Sequence, residues 1–374
     1  MHSVKKVNRF VSLFLAFLLV WAGVASAGVP SPKPQAAGPH PPHQIANLGD
    51  FKFESGAVVK DFKVSYVTHG KLTPKKDNVI LVMHHFAGDH HNFDFLIGPG
   101  KVLDTDKYYI VATDMLGNSV VRQDVTTGPT NSGLKMDFPR YTLRDSVNVE
   151  YKLLKEYLGF DHILAAAGIS FGAMKAYQFA VSYPTYASGF IPMMGSPMTT
   201  PLIRLVLKNF MNIIEMDNGW YSGNYDTNPT MGLNMALNHF SLYSGTYRWY
   251  VTNVKTADDY QVWTKVYTWW GPQDARDIYY QWQAWADFNV GDTRGFKGDA
   301  KAALQSIQDQ VLIIGAKEDL WFNREELIFA KNAIPKATHV EIDSIRGHYS
   351  CCGGDREATK IIEREIAKFL AKLR

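Results

Sequence analysis

The chain has 374 residues, 46% of them hydrophobic and 20% charged, a balance ordinary for one large globular domain or two smaller ones. Its formal net charge of +3 is matched by the three basic residues Lys5, Lys6 and Arg9 near the N-terminus; without residues 1–27 no net charge remains, which excludes nucleic acid or an anionic membrane as a partner bound through bulk charge. The two cysteines, Cys351 and Cys352, are adjacent and exclude the disulfide framework of small secreted domains, so stability has to come from packing.

In chain order, the basic residues are followed by the apolar run Phe10 to Val24 and by Ala25-Ser26-Ala27. This pattern predicts an export signal cleaved after Ala27 and a secreted or periplasmic mature protein with no stable membrane anchor. A retained anchor is the competing reading, but the run is short for a span of about 20 residues. Residues 28–46 are rich in proline and predict an extended, solvated linker. Its His40 and His43 read as part of that linker, with metal binding the alternative. The core is expected over 47–196. From Phe51, FKFESGAVVKDFKVSYVTHGKL alternates as antiparallel strands do, with a turn at Ser55-Gly56. Asn78 to Met83 (NVILVM) is a continuous apolar run, the mark of a strand buried on both faces. It leads into His84-His85-Phe86-Ala87-Gly88. A second buried strand, Tyr108 to Thr113, ends at Asp114.

Thr142 to Leu158 has helical periodicity, and Ile163 to Ala167 predicts the strand before Gly168-Ile169-Ser170-Phe171-Gly172. A helix follows, then a strand over Gly189 to Met194. From about Pro197 the pattern changes to helical segments dense in aromatics, holding seven of the nine tryptophans, and predicts an inserted helical cap over 197–300. Most of those rings should be cap core, with a few facing the cleft. The core resumes over 301–374 with strands at Val311 to Gly315 and His339 to Ile342. A closing helix, Lys360 to Leu373, carries Ile361, Ile362, Ile366, Phe369 and Leu370 on one face. Strands alternating with helices predict an α/β fold with a mostly parallel, doubly wound sheet and loops gathered at the strands' C-terminal ends.

The chemistry centres on Ser170. A strand, a sharp turn and a helix, with glycine two residues before and after a serine, match the G-x-S-x-G nucleophile elbow of the α/β-hydrolase fold. A serine hydroxyl needs a base to take its proton and a third group to hold that base. In this fold the chain order is serine, acid, histidine, which selects Asp319 and His348, each just past a strand. Glu318 competes for the acid role, but one residue earlier it should point elsewhere along the loop. The tetrahedral oxyanion needs donors worth roughly 3–4 kcal/mol each; the main-chain N–H groups of Phe171 and Phe86 are the candidates. His84, His85, His90 and His91, with Asp89 and Asp94, invite a metal reading. No HExxH or comparable spacing is present, and neighbouring histidines on an extended segment point to opposite sides, so loop shaping or substrate contact is preferred and no metal is assigned. Cys351 and Cys352 read as two thiols, since a bridge between adjacent residues is strained.

Several stretches in register resemble the homoserine O-acetyltransferase family of the α/β-hydrolases: FESGAVVKDFKVSYVTHGKL, HHFAGDHH, LIGPGKVLDTDKYYIVATDMLGN, Thr127-Gly128-Pro129, DFPRYTLRDSV and GISFGAMKAYQFAVSYP. The resemblance runs from about Phe53 to the C-terminus and is strongest in the first half. It implies an acyl-enzyme on Ser170, Asp319 as acid, His348 as base, the oxyanion N–H at Phe86, a helical cap, a homodimer formed through that cap, and no metal or organic cofactor. Two features depart from the family. Its elbow, GGSMGG, is Gly168-Ile169-Ser170-Phe171-Gly172-Ala173 here. Its cap arginine, which grips an amino-acid carboxylate, aligns with Met211, leaving Arg204 or Arg276 to stand in.

A methionine would leave such a carboxylate unpaired, and an exported enzyme would not meet acetyl-CoA. The sequence therefore reads as an exported carboxylic-ester hydrolase acting on a small-molecule ester. The second reading is an O-acyltransferase resembling homoserine O-acetyltransferase, and the third is a non-catalytic binding protein.

Overall fold

The computed structural model describes residues 41–114, 116–118 and 124–373. The expected export signal and the linker up to His40 lie outside the described residues. Gln44–Asn47 forms β1, which pairs antiparallel with β4, Lys63–His69. The segment expected to be solvated linker up to residue 46 therefore already belongs to the sheet. A strand of four residues has too little alternation to be read from the sequence, and it forms because β4 offers it an edge. A small hairpin of β2, Phe51–Lys52, and β3, Val58–Val59, lies between them.

The buried run predicted from Asn78 is β5, Val79–Met83, and β6 is Tyr109–Thr113. Thr142 caps α1, Leu143–Lys152, through a reciprocal capping box with Asp145. Then come β7, Ile163–Ile169, α2, Phe171–Ser182, and β8, Ala187–Met193. Helices follow: α3, Pro201–Glu215; α4, Thr230–Leu242; α5, Tyr247–Asn253; α6, Ala257–Trp263; α7, Ala275–Ala286; and α8, Ala300–Gln305. The chain ends with β9, Gln310–Ala316, α9, Arg324–Ala333, β10, Ala337–Ile342, and α10, Arg356–Lys372. Among the described residues no helix is long and apolar enough to cross a membrane.

The eight-stranded sheet has the order β1-β4-β6-β5-β7-β8-β9-β10. Only the pairings of β1 with β4 and β4 with β6 are antiparallel, as an α/β-hydrolase sheet requires. Residues along β5 alternate between two cores. Val79, Leu81 and Met83 join the layer containing α1 and α2, and Ile80 and Val82 join the layer closed by Ile362, Ile366, Phe369 and Leu370 of α10. The sheet order reverses around β5, so the crevice at the C-terminal ends of β5 and β7 is the place where such a fold builds a site.

Candidate active site

Met83 of β5 pairs with Gly168 of β7, so the loops leaving these two strands start level with each other. Ser170 stands between β7 and α2 at φ 57°, ψ −117°, a strained backbone for any residue with a Cβ, costing of order 1–3 kcal/mol. The surroundings enforce it. The Ser170 N–H donates to the Met193 carbonyl at 2.8 Å, and the Ser170 carbonyl accepts from the Ala173 N–H at 2.9 Å. A Cβ at Gly168 would lie 2.0 Å from the Gly172 carbonyl oxygen, and one at Gly172 would lie 2.0 Å from that of Met83. Both flanking positions must be glycine for β7, α2 and the loop after β5 to meet.

His348 lies in the turn Gly347–Cys351 after β10. Its Nε2 is 2.9 Å from Ser170 Oγ and its Nδ1 is 2.7 Å from Asp319 Oδ2. The other Asp319 oxygen accepts from the backbone N–H groups of Trp321, at 2.8 Å, and Phe322, at 3.1 Å. The carboxylate is thus pinned on both sides and fixes Nδ1 as the protonated nitrogen, leaving Nε2 to accept the serine proton. Burial works against a charged His348, but the Asp319 charge and hydrogen bond outweigh it and hold the imidazole pKa above its ordinary value. Glu318 points outward and pairs with Arg248 at 2.7 Å.

Phe171 is the first residue of α2, where backbone N–H groups have no partner within the helix. The loop after β5 crosses this helix start, since a Cβ on Gly172 would also meet the His84 carbonyl oxygen at 2.7 Å. Phe86 follows two residues later, its buried ring stacked on Trp282 at 5.5 Å. His84 Nδ1 is 2.8 Å from the His85 carbonyl, and His85 Nδ1 is 2.8 Å from the Phe86 carbonyl, so both rings shape the loop. Burial and the nearby Lys175 push the His84 pKa down to about 3, keeping that ring neutral. His90 and His91 behave differently. They sit in a 3-10 turn with ring centroids 4.4 Å apart, so the expectation that they point to opposite sides fails; a turn replaces the extended segment on which it rested.

No family model matches the chain. It is 29% identical over 340 residues to a curated homoserine O-acetyltransferase of Nautilia profundicola, covering 79% of this chain and 90% of that protein. Other curated homoserine O-acetyltransferases reach 36% identity but are matched over only about half of their own length or less, 54% for that of Deferribacter desulfuricans. The crystal structure of homoserine O-acetyltransferase from Bacillus anthracis superposes with a TM-score of 0.80 at 26% identity, covering 88% of this chain and 97% of that one. Esterase E22 superposes at 0.79, also with 26% identity and 88% of this chain covered. The chain has the α/β-hydrolase fold and is similar to homoserine O-acetyltransferases and esterases built on it.

These similarities overturn the reading as an exported ester hydrolase, because the curated relatives are acetyltransferases. The two observations behind that reading do not bear on the acyl acceptor. Met211 is buried with Leu207, Phe210 and Ile214 in the packed face of α3, and so serves the core. The expected export signal lies outside the described residues. Arg204 and Arg276 are also committed. Arg204 donates to the Ala286 carbonyl at 2.8 Å, and buried Arg276 donates to Gly223 and Tyr225 carbonyls while stacking 3.6 Å over the Tyr225 ring. The aromatic residues of the helices between β8 and β9, and of the turn after β9, largely pack. Trp282, Trp285 and Trp321 are almost fully buried, and Trp285 stacks on Phe322 at 5.4 Å, which lies 5.5 Å from His348.

One residue invisible to motif reading is Gln281 of α7. Its Oε1 accepts from the Ala87 N–H at 2.9 Å and its Nε2 donates to the Gly117 carbonyl at 2.6 Å, tying α7 to the loop that carries Phe86. Ala87 has φ 53°, so the loop is held in a conformation it would not choose alone. Gln281→Leu is expected to lower kcat by about 10- to 100-fold through a misplaced oxyanion donor. Circular dichroism should show a folded protein. An unchanged kcat in a folded variant would remove Gln281 from the machinery.

Proposed function

We propose that the chain is a serine-dependent O-acyltransferase of the homoserine O-acetyltransferase type, passing an acyl group through Ser170 to the hydroxyl of a small acceptor. The observation that carries this reading is the near-full-length similarity to a curated homoserine O-acetyltransferase, and the linked Ser170, His348 and Asp319 support it. In the first half-reaction His348 Nε2 takes the Ser170 proton as Oγ attacks the donor carbonyl. The N–H groups of Phe86 and Phe171 hold the oxyanion, the C–O bond to the enzyme stays, and the donor's leaving group departs with the proton from His348. In the second half the acceptor hydroxyl gives its proton to His348 and attacks the acyl carbon. The bond to Oγ breaks and Ser170 recovers its proton. Ser170 and His348 are only 2% and 8% exposed, a shielded setting that favours a bound acceptor over water.

The test is product partition with acetyl-CoA, with and without homoserine, read by mass spectrometry of O-acetylated alcohol and of free acetate. Transfer to the alcohol should exceed transfer to water by about tenfold or more, or at least 1.4 kcal/mol in barrier. Acetate release at the same rate with and without acceptor would refute the reading.

A further inference from the structure

The expected linker residue His43 packs against the two histidines of the loop after β5. Its ring centroid lies 4.2 Å from that of His90 and 6.3 Å from that of His91. One ring nitrogen from each of the three lies within 4.8 Å of the others. Tetrahedral zinc, bound at about 2.0–2.1 Å, needs nitrogens about 3.4 Å apart, so binding would draw the three rings together. The residues come from distant parts of the chain. Gln44 pairs with Tyr66, and Tyr66 with Thr113, so sheet register carries His43 to the end of β6 where Asp114 and the His90-His91 turn stand.

What surrounds the rings points to a cation. His90 Nδ1 is 3.0 Å from buried Asp114, which also accepts from the His90 N–H at 3.0 Å and from the Ser65 hydroxyl. His91 Nδ1 is 2.8 Å from Asp94. Two of the three imidazoles thus have one nitrogen on a carboxylate. This is the arrangement in which a carboxylate orients a metal-binding histidine and raises its basicity. Buried His90 and exposed His91 give the cluster one side in the protein and one side open to solvent, where a fourth ligand can come from water.

We propose that His43, His90 and His91 form a binding site for one divalent first-row transition metal of the zinc class, with Asp114 and Asp94 as orienting carboxylates. The metal would staple the start of β1 to the loop that carries Phe86, joining the sheet's edge to the oxyanion loop.

Untagged protein, stripped with chelator and titrated with Zn²⁺ by calorimetry, should take up one equivalent per chain. Co²⁺ in its place should give the intense visible absorption of a tetrahedral site. His43→Ala and His91→Ala should each weaken Zn²⁺ binding at least tenfold and abolish the Co²⁺ band, and Asp94→Asn should weaken binding by about 10- to 100-fold. His162→Ala, an exposed histidine far along the chain, should change neither. Saturating Zn²⁺ should raise the melting temperature of the wild type and leave that of His43→Ala unmoved. Absence of stoichiometric binding, or affinity unchanged in both histidine variants, or loss of equal size in His162→Ala, would overturn the proposal.

Discussion

Ser170→Ala is expected to lower kcat for acyl transfer by about 10⁴-fold or more and to abolish labelling by a fluorophosphonate. Oγ is the atom that would carry the acyl group, and it is the partner of His348 Nε2 at 2.9 Å. The substitution leaves the elbow intact, because alanine meets the same backbone strain as serine at φ 57°, and the hydrogen bonds that hold the turn are made by the main chain. Stability should therefore change by no more than about 1 kcal/mol, the net worth of one side-chain hydrogen bond. Intact-mass measurement after labelling separates the outcomes. A phosphonyl adduct on the alanine variant would show that the nucleophile lies elsewhere.

Asp319→Asn should be nearly as damaging, about 10⁴-fold in kcat, with the fold unchanged. The backbone N–H groups of Trp321 and Phe322 require an oxygen acceptor at this position. The asparagine carbonyl must stay with them, so its NH₂ group faces His348 Nδ1. That nitrogen is then forced to accept, the proton moves to Nε2, and the tautomer facing Ser170 can no longer take a proton. The pH profile offers a second readout. In the wild type, burial lowers the His348 pKa and the Asp319 charge and hydrogen bond raise it further than burial lowers it. The active form is the neutral ring, so kcat/KM should fall as pH drops through a pKa above about 6.5. The linked stability has the opposite sense. Because the folded pKa is raised, His348 stabilises the fold below its unfolded pKa, and that contribution is lost as pH rises through the folded one. With Asp319 replaced by asparagine, burial remains and the raising charge is gone, so the acidic limb should move to lower pH. A limb that stays in place would mean that another group titrates.

The sequence read the elbow correctly in form because the requirement is local. Gly168 and Gly172 touch backbone within five residues or on the next strand, and only glycine fits. The apolar runs that became β5, β6 and β9 were legible for a similar reason, since a strand covered on both faces has no room for polar residues. Reading the acyl acceptor from Met211 failed, because an aligned position in a helix does not say which way the side chain faces; this one belongs to the core.

By itself, then, the sequence determined the α/β architecture, the serine at the turn between β7 and α2, and the order in which an acid and a histidine follow it. Tertiary structure alone decided that Gln281 holds Ala87 across 194 residues of chain, that Glu318 faces Arg248 while Asp319 faces His348, and that His43 joins His90 and His91. The physical reason is the range of the constraint. A strained turn is written in the few residues that form it, whereas a clamp or a metal-type cluster depends on sheet register and helix packing that bring remote side chains within about 3–5 Å, a distance no local pattern encodes.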